Sequence, residues 1–256
     1  MWIDRDVRVD DLGFRVRGTV PTGAADDAAY VLVHGIGMSY RTMRGVHDVL
    51  AADTAVYSVD MPGFGGCPVP DRSVSIGEMA ATLGVVCDRV GARRVVVVGH
   101  SMGAQWAVEL AIARPDLVAG AVLIGPVTDR EHRSVRRQAV ALGVDVLHEP
   151  PLTSVQALSD YVRASTRWYV RQVRHMVGYP IDERIGEVGV PVLIVRGGTD
   201  TVAGRDWCRL LRDRAADAEL VVVPAGAHNV QVSRPRAVAS AILDFVRRRV
   251  ADLSPD

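Results

Sequence analysis

Lysine is absent from the 256-residue chain, and all 30 basic side chains other than histidine are Arg. With abundant Ala, Val and Asp, this reads as the codon bias of a GC-rich genome rather than as chemistry. Against 30 acidic residues the formal net charge is +0, so no global field exists to draw in nucleic acid or an anionic membrane. Cysteine is scarce too. Cys67, Cys87 and Cys208 are an odd number, widely spaced and without a CxxC pair, which argues against a disulfide framework and a Zn–Cys site. The histidines show no HxH or HExxH spacing, so neither a metal nor another cofactor is expected. No apolar run reaches membrane-spanning length. The first residues, MWIDRDVRVDD, are charged from the fourth position and lack the apolar core of a signal peptide. A cytoplasmic protein with no nucleic-acid or membrane partner is the expectation.

Hydrophobic residues make up 48% and charged residues 23%, the composition of an ordinary globular domain. Short β-branched runs alternate with helical patterns along most of the chain. Strands are expected at Tyr30–Val33, Ala55–Val59, Arg94–Val98, Ala121–Ile124, Val192–Val195 and Leu220–Val223, after an opening hairpin of Val7–Val9 and Phe14–Arg17. Helices are expected near Arg41–Ala51, Ser75–Val90, Met102–Ala113, Ala203–Arg214 and Pro235–Val250. The strands are near-continuous apolar runs, as burial on both faces of a parallel sheet requires. The fold class is therefore α/β, a mostly parallel, doubly wound sheet.

One stretch breaks the rhythm. Between Pro126 and Val190 no good strand occurs, and the chain is expected to leave the sheet as an inserted helical cap. Core residues would be 1–126 and 190–256, and the cap 127–189. Within it, a first helix spans roughly Arg130–Val146, and Pro150-Pro151 separates it from a second. There Val162, Ser165, Tyr169, Val173 and Met176 share one face and Arg163, Arg167, Arg171 and Arg174 the other. From Arg130 to Met176 eight Arg face four acidic residues. A solvated helix face explains them more simply than attraction of an anionic substrate.

The stretch VVVVGHSMGAQWAVEL, Val95 to Leu110, puts a Ser between two Gly at the junction of a buried strand and a helix. A GxSxG pattern arises by chance only about 0.1 times in a chain this long, and the strand–helix context sharpens it. A Ser on a sharp, strained turn needs neighbours without Cβ atoms. Such a turn exposes the hydroxyl and leaves the N–H of Met102 at a helix N-terminus, where developing negative charge is stabilised. A Ser hydroxyl also needs a base, and the base an orienting acid. In α/β sheets both belong at strand ends later in the chain. Asp200 follows Val192–Val195 in RGGTD, and His228 follows Leu220–Val223 in PAGAH.

In this order of motifs the chain resembles the α/β-hydrolase family of serine hydrolases over nearly its whole length. His34-Gly35-Ile36-Gly37, DMPGFG at Asp60–Gly65, GHSMG, GGTD and GAH occur in register. The resemblance implies that the loop after His34-Gly35 supplies the second oxyanion donor, the N–H of Ile36, with Gly37 as the alternative. It also implies that His34 braces that loop. Asp60 is expected to fix a turn. Asp129, after the strand Ala121–Ile124, is a rival acid, because some family members place the acid there. A Rossmann reading of Gly35-Ile36-Gly37 fails, since Tyr40 stands where the third Gly should be. Met38, Tyr40, Val127, Trp168 and Tyr169 are candidate linings of an apolar or aromatic pocket. Trp106, inside the elbow helix, fits the core better, and His100 is expected to pack rather than react.

The implied activity is hydrolysis of a carboxylic ester-type bond (ester, lactone or thioester) in a small acyl substrate, through an acyl-enzyme on Ser101. C–C bond hydrolysis of a diketone-type substrate, acyl transfer to another acceptor, and ligand binding without turnover are the alternatives. Ser in the elbow argues against the dehalogenase and epoxide-hydrolase members, which carry Asp there. Neither leaving group nor oligomeric state is readable from the sequence.

Overall fold

A computed structural model describes residues 1–22, 28–128 and 165–250. Asp129, the Arg130–Val146 helix, Pro150-Pro151, Val162 and Arg163 lie outside the described residues. Eight strands form one sheet in the order β1-β2-β4-β3-β5-β6-β7-β8. The first two, β1 (Trp2–Val9) and β2 (Leu12–Thr19), form the hairpin, with Asp10 at φ 52° in its two-residue turn. The second strand runs antiparallel to β4 (Ala55–Asp60). From there β3 (Ala28–Val33), β5 (Arg94–His100), β6 (Val118–Ile124), β7 (Val192–Gly197) and β8 (Ala218–Val223) are all parallel.

Alternation along the central strands serves two cores. Tyr30, Leu32, Val96 and Val98 face one layer, built from α1 (Arg44–Leu50) and α8 (Pro235–Arg249). Val31, Val33, Val95 and Val97 face the other, built chiefly from α2 (Ile76–Val90) and α3 (Met102–Ala113). Helices on both faces are why these strands read as unbroken apolar runs. In the outer strand β8 only Val223 is buried and Val222 is 37% exposed, so this strand is not buried on both sides.

The sheet order reverses at β3, which has β4 on one side and β5 on the other. In open α/β sheets the crevice beyond the carboxyl ends at such a switch is where ligands bind. The loop after Val33 and the turn after His100 both emerge there.

Several expected boundaries move. The Arg41–Ala51 helix divides into a 3₁₀ turn (Tyr40–Thr42) and α1, and α6 (Arg205–Arg214) starts after Gly204 rather than at Ala203. Helix α2 begins as its sequence predicts. Ser75 Oγ accepts the Glu78 N–H at 3.2 Å and Glu78 Oε2 accepts the Ser75 N–H at 3.0 Å, a reciprocal capping box.

Two helices of the strand-free excursion lie within the described residues, α4 (Thr166–Gly178) and the short α5 (Ile181–Arg184). The buried face of α4 is Trp168, Gln172 and Met176, with Tyr169 and Val173 half-buried. This is one position round from the stripe expected through Ser165, Tyr169 and Val173. Gln172 hides the true stripe from a reading by hydrophobicity, since its buried amide donates to Val74 O at 3.0 Å. Arg167 and Arg174 are exposed, and Arg171 reaches Asp71 O at 3.3 Å. No described helix is long and apolar enough to cross a membrane.

Candidate active site

Ser101 joins β5 directly to α3 with φ 57° and ψ −118°, a left-handed conformation that costs an L-residue about 1–3 kcal/mol. Its flanking glycines are compelled by backbone, not by side chains. A Cβ on Gly99 would stand 2.1 Å from the carbonyl oxygen of Gly103, and one on Gly103 would stand 2.7 Å from the carbonyls of Val33 and His34. The strand thus turns back so tightly that α3 begins against the end of β3. Gly35 lies against the same turn, where a Cβ would come within 3.0 Å of Ser101 Cβ. The Ile36 loop and the first helical N–H, that of Met102, therefore flank one Ser. Four initial N–H groups of any helix lack an intrahelical acceptor, and Met102 carries the first of them.

The loop after β8 returns across the sheet end and brings His228 to this turn. His228 Nε2 is 3.2 Å from Ser101 Oγ and His228 Nδ1 is 3.1 Å from Asp200 Oδ2. All three are buried, at 5%, 1% and 2% exposure for Ser101, His228 and Asp200. The second carboxylate oxygen of Asp200 accepts the N–H groups of Val202 and Ala203, each at 2.8 Å. Burial works against ionisation of Asp200. The charge and hydrogen bond of His228 and the Ala203 and Val202 amides outweigh it, and hold the carboxyl below its ordinary range. An ionised acceptor on Nδ1 selects the tautomer with its proton there. Nε2 is then the unprotonated nitrogen, and it faces Ser101 Oγ.

Two residues that support this row carried no role in the sequence reading. Gly125, at φ 54°, lies where a Cβ would come within 3.1 Å of His228 Nδ1 and 3.3 Å of Asp200 Oδ2. Arg196 is buried and donates to Ala203 O at 2.8 Å, Gly198 O at 3.2 Å and Asp200 O at 2.8 Å. It thereby ties the Asp200 loop into one unit. A charge in the otherwise apolar strand VLIVRG was the signal that could have found it.

His34 Nδ1 donates to Gly35 O at 2.7 Å, and its Nε2 accepts the Met61 N–H at 3.1 Å, so it spans the two loops beyond β3 and β4. Asp60 accepts the Tyr40 N–H at 2.6 Å and an Arg17 N–H at 2.5 Å. Met38, Val127 and Trp168 are buried; Trp168 lies over Gly63, its ring centroid 6.4 Å from that of Phe64. Tyr40, expected in the same pocket, is half-buried. The Arg17 guanidinium stacks on its ring at 3.8 Å, beside a cavity of about 220 Å³ whose lining includes neither Ser101 nor His228. Trp106 is fully buried in the core.

Other Ser–His contacts occur among the described residues. Ser58 Oγ meets His47 Nδ1 at 2.9 Å, but Ser58 lies wholly buried within β4, and Thr19 rather than a carboxylate holds the other nitrogen. Ser73 Oγ meets His175 Nε2 at 2.7 Å on the surface. Among the described residues no group of three or more His, Cys, Asp or Glu stands as a metal site requires.

The chain is 25% identical over 261 residues to the dihydrolipoyllysine-residue acetyltransferase component of the acetoin cleaving system of Pseudomonas putida, covering 93% of this chain and 68% of that one. Solved structures share the fold. The enol-lactonase from Burkholderia xenovorans LB400 superposes with a TM-score of 0.82 at 18% identity, over 95% of this chain and 100% of that one. An N-acyl homoserine lactone degrading enzyme, Est816, gives 0.83 at 20% identity, over 94% and 100%. Residues 30–241, which include Ser101, Asp200 and His228, match the family model described as the alpha/beta hydrolase family. The chain belongs to that family and is an α/β hydrolase.

Proposed function

We propose that the protein hydrolyses a carboxylic ester-type bond, that of an ester, lactone or thioester, through an acyl-enzyme on Ser101. The observation that carries this reading is the unbroken buried row from Asp200 through His228 to Ser101, with contacts of 3.1 and 3.2 Å. In this scheme Ser101 Oγ attacks the substrate carbonyl carbon while His228 Nε2 takes its proton. Asp200 keeps His228 in the reactive tautomer and stabilises the imidazolium. The N–H groups of Met102 and Ile36 donate hydrogen bonds to the oxyanion that develops between them. His228 then gives its proton to the leaving oxygen or sulfur, and the C–O or C–S bond breaks. Water, deprotonated by the same imidazole, attacks the acyl-enzyme, and Ser101 regains its proton as the acid departs. No other reagent enters the balance.

The described part of residues 127–189 serves in this scheme as a cap on the acyl side, with Met38, Val127, Trp168 and Tyr169 contributing apolar surface.

A graded series of p-nitrophenyl acyl esters tests the reading, with wild type beside Ser101→Ala. Turnover by wild type and a loss of about 10⁴-fold or more in kcat for the variant are expected. The optimum chain length then sizes the acyl pocket. A folded wild type inert towards the whole series overturns simple ester hydrolysis and moves the assignment to a carbon–carbon bond or another acyl acceptor.

A further inference from the structure

What fixes His228 at its distance from Ser101? The two sit on strands far apart in the sheet, since β6 and β7 separate β5 from β8. The near end of the His228 loop is fastened to the Asp200 loop, where Gly226 O accepts the Thr199 N–H and the Thr199 hydroxyl, each at 2.9 Å. Its far end is met by His100, the last residue of β5. His100 is wholly buried, its Nε2 lies 3.2 Å from the backbone carbonyl of His228, and the two rings are 5.0 Å apart. A carbonyl oxygen only accepts, so Nε2 carries the proton and Nδ1 is bare. That Nδ1 has no hydrogen-bond partner among the described residues, and it faces the Gly35 loop, 3.1 Å from where a Gly35 Cβ would be.

We infer that His100 is a positioning residue. Its Nε2–H holds the His228 carbonyl and so sets the reach of the His228 ring to Ser101, while its ring separates the His228 loop from the Gly35 loop. This rests on the acyl-transfer reading of the Ser101 row. A cation 5 Å from His228 would oppose the imidazolium that forms during attack, and burial excludes one. Desolvation first, then the His228 charge, pull the His100 ring down to about 3, with His34 adding to the same side and Asp200 and the carbonyl contact opposing. His100 is thus a neutral donor through the working pH range.

The test uses the full chain and an alkyl fluorophosphonate, which Ser101 Oγ attacks at phosphorus with loss of fluoride, His228 accepting the proton. Inactivation rates would be compared for wild type, His100→Leu, His100→Gln and His100→Asn, with thermal unfolding beside each. A Gln amide nitrogen reaches the place of Nε2 and an Asn amide nitrogen only that of Nδ1. The Leu and Asn variants are expected to react about tenfold more slowly, as loss of one buried hydrogen bond implies. Gln is expected within about threefold of wild type, with the acid limb of its rate profile unmoved. Equal rates for Gln and Asn, or a folded Leu variant at the wild-type rate, overturn the inference. If Leu does not fold, the Gln–Asn comparison decides alone. Failure of the wild type itself to be labelled at Ser101 instead overturns the proposed function.

Discussion

At the scale of single residues, the Ser101 turn and its partners follow from hard contacts. Gly99 and Gly103 are read from the sequence because they flank Ser101 in one short motif, although what excludes a Cβ at Gly103 is the distant backbone of Val33 and His34. Gly125 is not, because what excludes its Cβ is a pair of side chains that arrive from Asp200 and His228. Gly125→Ala combines an unfavourable φ with a methyl 3.1 Å from His228 Nδ1. The expected result is a fall of about 10-fold or more in kcat, with stability reduced by about 1–3 kcal/mol. Steady-state kinetics and urea unfolding on the same preparation check both numbers. An unchanged kcat would mean that His228 does not work in the position described. Arg196 escaped for a similar reason. Its three carbonyl acceptors lie up to seven positions ahead, and only the folded loop brings them together.

At the scale of elements, periodicity located nearly every helix and strand in the described residues, and capping chemistry fixed ends where it was present. Ser75 and Glu78 are such a case. Ser75→Ala removes the acceptor of the Glu78 N–H and should cost about 1 kcal/mol, seen as a lower urea midpoint with unchanged ester turnover. Activity lost along with the cap would place α2 nearer to the chemistry than its layer implies. Periodicity failed on α4, where Gln172 occupies the buried centre and donates to Val74 O. Hydrophobicity cannot announce an amide whose partner is 98 residues away. The short helices α5 and α7 (Val230–Ser233) were not foreseen either, since four residues carry too little period to read.

At the scale of the whole molecule, buried histidines couple stability to pH. Burial lowers the pKa of both His47 and His100, the latter to about 3. The unfolded chain then binds more protons than the native one once pH falls below the free imidazole value of about 6.5, so stability rises with pH across that window. Asp200, held below its ordinary range, adds a loss of the same sign as pH falls through its native value. Urea midpoints should therefore decline steadily from pH 7 to pH 4.5, and His47→Gln should flatten the decline. A slope identical to wild type would show that His47 is protonated in the native state.

The central claim concerns one oxygen atom, and mass spectrometry of a trapped intermediate reads it directly. Wild type mixed with a p-nitrophenyl ester, quenched in acid within the first turnovers and digested, should carry the acyl group on the peptide containing Ser101, and Ser101→Ala should carry none. An acyl group on Ser58 or Ser73, each in contact with a histidine, or turnover without any acyl-enzyme, would contradict it.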